Sequence, residues 1–405
     1  AGTGTTTFSG DVTTTAAGTN VNLTTASIDI DASVVTNGGA VDLNATTLVD
    51  LATGQSITTT GDAAGEAGGA IDIDVSGTGT VNLVGSLVTT GNTNAAGTGG
   101  AGGVVTIDTN NGTASVTAIT TDGGAGTGGG NNGGDAGDVT ITTGTDNIIT
   151  LNGAISAAGG TSAAATAGAG GNVTFADPVV LATGITITTG TTAGNIAFQS
   201  TLDSEASEDN TLGLTAGTGN ITFTGAVGGA TNGELGAVTI NSATNVTASS
   251  TIEAASLVQT AGTLTTLTDN VTTTTAAGVN LTATDIRLDG LTIAASGNGV
   301  GRFNGNVRLD DATVVTTTGS GAITFTGTLD SQASEANTLS LTGNTGDVLL
   351  QGAVGGATNG ELGGVTIVSA ANVTASSTIE AASLTQSAGT GTTTFSGDVT
   401  TTAAG

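Results

Sequence analysis

Cysteine, methionine, tryptophan, tyrosine, histidine and lysine are missing from this 405-residue chain, and proline occurs once, at Pro178. Without cysteine there is no disulfide or thiol chemistry to place. Seven phenylalanines are the only aromatics, so the bulky fillers of a globular core are lacking and any core must be thin. No run of eighteen apolar residues exists, which excludes a membrane-spanning helix, and the lack of Trp and Tyr girdles argues against a membrane barrel. Three cations (Arg287, Arg302, Arg308) stand against 32 acids, for a net charge of -29. Such a surface repels nucleic acid and anionic membranes, so neither nucleic-acid binding nor membrane insertion is expected.

What remains is Gly, Thr, Ala and the β-branched and leucine side chains that favour strands. They are organised by repetition. Residues 1–18, AGTGTTTFSGDVTTTAAG, return letter for letter as residues 388–405, an offset of 387. The simplest reading is one full period of a longer tandem array plus the first rung of the next, hence a segment of something long. A second level of repetition is offset by 127, relating about 201–278 to 328–405. TLDSEASEDNTLGL at Thr201 becomes TLDSQASEANTLSL at Thr328, and NVTASSTIEAASL recurs at Asn245 and Asn372. Such a block keeps the fold when it is a stack of whole coils, so residues 1–405 are expected to form one continuous segment without a domain boundary.

Between the repeats runs a three-beat rhythm of short apolar segments: VNL at Val21, SIDI at Ser27, SVV at Ser33, then a glycine corner. It restarts at Val41, Ile71, Val105, Val139 and Val173, with spacings of 20, 30, 34, 34 and 34 residues. Each beat alternates inward apolar with outward polar positions, with Phe8, Phe175, Phe198, Phe223, Phe325 and Phe395 expected as larger core fillers. Three such strands per turn, repeated in register, describe an all-β fold: a right-handed parallel β-helix, or β-solenoid, whose coils stack at about 4.8 Å. The extra residues of the longer coils always follow the third strand. They should therefore emerge along one edge as a Gly-rich ridge of loops, residues 89–102, 121–137 and 157–171, which exceed the usual connection length and are either functional or loosely ordered.

GNITFTG, GAVTINSATNVTASSTIEAASL, GDVTTTAAGVNLT and GGAGGVVTID resemble the coils of very large bacterial surface proteins of the filamentous-haemagglutinin and repeat-adhesin kind. The resemblance implies a secreted right-handed parallel β-helix serving as an adhesin, fibre or matrix component, located outside the cell.

Candidate sites are few. The acidic loops DSEASEDN and DSQASEAN offer Asp203, Glu205, Glu208 and Asp209, and Asp330 and Glu335, as oxygen ligands for calcium; as solvated corners they need no metal. DIRLD and VRLDD place Arg287 and Arg308 about one coil apart, with Asp285, Arg287 and Asp289 outward and Ile286 and Leu288 inward, a charge ladder to which Arg308 and Asp310 add. Acid pairs such as Asp29 with Asp31 and Asp72 with Asp74 keep the wall soluble. Parallel β-helices that cleave polysaccharides want a basic side chain, paired carboxylates and aromatic platforms, and without His, Lys, Trp or Tyr no enzyme is expected. Nine N-x-T sequons, including Asn172, Asn220 and Asn372, follow from a strand grammar of Asn, apolar, Thr, and glycosylation is the secondary reading. Irregular coil lengths weigh against a flat, ice-binding Thr array. The expected role is mechanical, a self-associating piece of a fibre, sheath or matrix filament; the alternative is the stalk of a large secreted adhesin.

Overall fold

The structure, a computed structural model, describes residues 2–144, 147–358 and 360–402; residues 1 and 403–405 of the terminal repeat lie outside them. Among the described residues there are strands and no helix. The strands run parallel and stack coil on coil as a β-solenoid within each of the two units that follow. Two compact units are distinguished, Ala1–Glu205 with Asn210–Thr222, and Ala206–Asp209 with Phe223–Gly405.

In the first unit, Val21, Val41, Ile71, Val105, Val139 and Val173 stand opposite one another on successive strands. The spacings read from the sequence are thus the lengths of successive coils. A second column joins Ile28, Val49, Val81, Ala114, Ile149 and Val179. A third joins Val34, Ile57, Leu87, Ile119, Ile155 and Ile187. Except for the half-buried Val21, these side chains are buried because a strand with alternating apolar residues can cover only one face, and the winding chain supplies the facing wall.

The second unit repeats the scheme, with Leu281, Phe303, Phe325 and Leu350 in one column. In-register stacking brings phenylalanines face to face: Phe303 and Phe325 lie 4.7 Å apart at 16°, and Phe175 and Phe198 of the first unit 5.0 Å apart at 18°. Phe175, Phe198, Phe223 and Phe325 fill the core as the sequence suggests, and so does Phe303. Phe8 and Phe395 do not: they sit in the first and last described coils, half-buried and exposed respectively.

Where a long coil of the first unit leaves the last of these columns, a buried threonine closes the neck of the excursion. Thr59, Thr89 and Thr121 donate their hydroxyls to the carbonyls of Gly69, Gly103 and Gly137 at 2.5, 2.5 and 2.6 Å. The amides of the same glycines return the bond to the threonine carbonyls at 2.8, 2.7 and 2.8 Å. The fourth neck carries Ala157 instead and keeps only the amide bond from Gly171, at 2.9 Å. Thr121→Val leaves the buried Gly137 carbonyl without its hydroxyl partner and is expected to cost about 1–3 kcal/mol. Ala157→Thr supplies the missing donor and is expected to add about 0.5–1.5 kcal/mol. Denaturation midpoints followed by circular dichroism check both signs.

Candidate functional site

The Gly-rich excursions are built, not loose. Each has an outgoing and a returning limb, and their amides bond in two directions. Gly133 and Gly99 of the returning limbs reach the same limb one coil on, at Thr166 and Asn132 O, both at 3.0 Å. Gly91 and Gly123 of the outgoing limbs do the same to Asp122 and Ala158 O, at 2.9 Å. The neighbouring amides turn sideways to the facing limb. Asn92 donates to Glu66 O, Gly100 to Asn92 O, Gly124 to Gly100 O, Gly134 to Gly124 O, Gly160 to Gly134 O and Gly168 to Gly160 O, all at 2.7–2.9 Å. One hydrogen-bonded column therefore zigzags through successive limbs.

At Gly134 and Gly160 only glycine permits this approach. A Cβ on Gly134 would stand 1.9 Å from Gly100 O, and one on Gly160 2.0 Å from Gly124 O. Buried amides and carbonyls satisfy one another with no side chain between them. At the tips, Asn94, Gly126 and Ser162 form a further parallel column. The result is a thin fin of backbone, and its face over Thr90, Thr93, Asp122, Gly124, Ala158 and Thr161 forms a shallow trough of about 380 Å³.

The acidic side of the first unit follows from the same register. Asp72 lies opposite Asp42, and Asp74 opposite Asp108. Partial burial, together with the like charges of Asp42 and Asp108, pushes Asp72 above the ordinary carboxylate range; Asp74 shifts the same way from burial and from Asp72, Asp108 and Asp42. The amide of Asn44 donates to Asp42.

The calcium candidates have local duties. Asp203 lies on the strand Leu202–Ser204, and Glu205, Glu208 and Asp209 are exposed beyond it. In the second copy, Asp330 accepts from the Ala357 amide at 3.0 Å, and Glu335 accepts from the side chain of Asn337 at 2.9 Å. Ser207 and Ser334 hold matching left-handed turns, with φ of 71° and 70°. The Asn210 and Asn337 amides donate to Ser204 and Ser331 Oγ, both at 3.0 Å. Among the described residues, no three Asp or Glu side chains are placed to hold one metal ion.

The arginines meet in the second unit, with Arg287 directly opposite Arg308 and Asp285 opposite Asn306. Register sets arginine on arginine, so the ion pair forms along the strand instead of between coils. Arg308 Nε and Nη2 donate to Asp310 at 2.5 and 2.8 Å, which raises the arginine pKa further. Arg287, Arg308, Asp285, Asn306, Thr328 and Asp330 line a groove of about 420 Å³. Its donors and acceptors alternate, and no aromatic side chain floors it.

Three of the sequon asparagines, Asn172, Asn220 and Asn372, are engaged as well. Asn172 donates its side-chain amide to Asp138 at 3.2 Å, Asn195 to Asn172 at 2.9 Å, and Asn220 to Asn195 at 3.0 Å. Asn372 does the same to Asp347 at 2.8 Å. A glycan on Asn172, Asn220 or Asn372 would have to displace these bonds.

Compared with protein-family models, with curated proteins and with solved structures, the chain matches none. No helix is long and apolar enough to cross a membrane among the described residues.

Two outcomes follow from this geometry. Gly134→Ala forces a Cβ into the Gly100 carbonyl and is expected to cost about 1–3 kcal/mol, with faster hydrogen exchange at the Gly124 and Gly160 amides. For Asp72 the folded state binds its proton more tightly than the unfolded chain, so its charge destabilises at neutral pH and the penalty is relieved as pH falls through the raised pKa. Asp72→Asn is therefore expected to stabilise at pH 7 by on the order of 0.2–1 kcal/mol, reduced by solvent screening. The difference from the parent should vanish in acid, which a pH series of melting curves measures.

Proposed function

We propose that this chain is a non-catalytic structural segment of an extracellular filament, sheath or matrix fibre. In this reading its coils are right-handed, carry three strands apiece and repeat with the 387-residue period. Right-handed winding is supported by the general handedness of connections between parallel strands. Three strands per coil is supported by the three apolar columns, which recur in fixed order. A surface-protein role accords with the resemblance of the coil sequences to filamentous haemagglutinins.

The observation that carries the mechanical reading is the two-directional hydrogen bonding of the fins. A loop made for ligand capture presents side chains, whereas these excursions spend theirs on close backbone packing and offer a flat, small-residue wall. Such a wall suits lateral contact with a second copy, because little side-chain entropy is lost when it is covered. Residues 89–102, 121–137 and 157–171 are the self-association surface on this view.

Lysines on the outer face test it without breaking the lattice. Thr93→Lys, Ala125→Lys and Thr161→Lys together are expected to leave the circular dichroism spectrum unchanged and to abolish side-by-side bundling in electron micrographs. Bundles that persist in the triple variant would remove the fins from the contact. A chain that never bundles, in parent or variant, would favour the stalk of a large secreted adhesin.

A further inference from the structure

All three cationic side chains fall on two neighbouring strands, Val279–Leu288 and Gly301–Leu309. Arg302 lies opposite Asn280, and Arg308 opposite Arg287. In a protein with 32 acids, the register has set one guanidinium beside another, and like charges on paired strands repel. Arg308 has Asp310 as its counter-charge, whereas the Arg287 guanidinium has no ion pair or hydrogen bond among the described residues.

The fold does not require this pair. The loop after Asp330 is a near copy of the one after Asp203, and in the first unit Asp203 stands opposite Val180, which stands opposite Thr150. In the second unit the same column runs Arg287, Arg308, Asp330. Arginine thus occupies two positions that threonine and valine fill in the earlier coils.

Both arginines line the groove of about 420 Å³, whose rim is held in place. Asp330 accepts from the Ala357 amide at 3.0 Å, the Ser331 amide donates to Gly360 O at 2.9 Å, and the Asn337 side chain donates to Leu309 O at 3.1 Å. Beside the arginines runs a second column of Asp285, Asn306 and Thr328. Asn306 meets the Asp285 carboxylate and the Thr328 hydroxyl at 3.4 Å each, bonds long enough to be exchanged for those of a ligand.

An occupant must satisfy both signs. A single carboxylate can bridge the two guanidiniums in charge-assisted hydrogen bonds. A dianion such as phosphate would double the repulsion from Asp285, Asp330 and Glu335, the last of which also acts on Arg308 through space. Asp285 and Asp330 stand two coils apart, about 10 Å, so one ammonium group reaches only one of them. Hydroxyls spread around a ring can donate to both. The volume lies in the range of small-molecule sites.

We propose that this groove binds a hexuronate, a sugar ring with one carboxylate and several hydroxyls, with Arg287 and Arg308 clasping the carboxylate. The site is separate from the fins and does not rest on the self-assembling reading.

Sodium glucuronate titrated calorimetrically into the whole chain is expected to bind, and glucose, acetate and glycine to bind about tenfold more weakly or worse. Arg287→Thr combined with Arg308→Val copies Thr150 and Val180, so the circular dichroism spectrum should be unchanged while glucuronate affinity falls about tenfold or more. Arg302→Thr, on the same strand but outside the groove, should leave that affinity as it is. An equal loss in Arg302→Thr would mean diffuse attraction of anions and would overturn the proposal. So would coincident titrations of parent and double variant, a parent that does not bind glucuronate, or glucose, acetate or glycine binding as tightly. A short oligoglucuronate distinguishes the source: tighter binding than the monomer supports a segment of an acidic polysaccharide, and equal binding supports the free sugar.

Discussion

Parallel pairing in unshifted register is the constraint from which the rest follows, because it sets each side chain over its equivalent one coil away. On the inward face this is favourable, and it produces columns of valine and isoleucine and the two phenylalanine stacks. Outward, the same rule has mixed results. Asparagine over asparagine gives a bonded ladder from Asp138 to Asn220, because an amide is both donor and acceptor. Aspartate over aspartate gives repulsion at Asp42 and Asp72. Arginine over arginine leaves Arg308 to find its carboxylate within its own strand.

The fins solve a different problem with the same geometry. A long excursion carries many backbone polar groups, and a core without large side chains cannot shelter them. Removing the side chains lets the limbs of neighbouring excursions satisfy one another directly. The buried threonines at the necks join the two regimes, one hydroxyl in each of these three coils linking the last apolar column to the last glycine of the returning limb.

Much of this was legible in the sequence. Period-two alternation located the strands at Val21, Ser27, Val41 and beyond, and equal spacings of 34 fixed the register of Val105, Val139 and Val173. The fin lattice was not legible as structure, because glycine has no periodic side-chain signal and length alone suggested loose or functional loops. The clue lay in the doubled glycines at 99–100, 133–134 and 159–160, which mark where successive excursions touch. Phe303 escaped notice because its strand, GRFNG, reads as polar around it. The arginine pairing escaped because spacing places residues on a face but does not reveal whether a carboxylate or a second cation stands opposite.

The fins also restrict how such a chain can change over generations. Losing one residue from 133–137 would put every later amide of that limb out of step with the excursions before and after it, much as a dropped stitch runs through knitted rows. Single-residue gains and losses are therefore expected at the tips, outside the stacked limbs, where successive necks already differ, spanning 10, 14 and 16 residues. Within the limbs, change in length is left to the addition or removal of an entire row, and the 127- and 387-residue repeats of this sequence have the form such events would give.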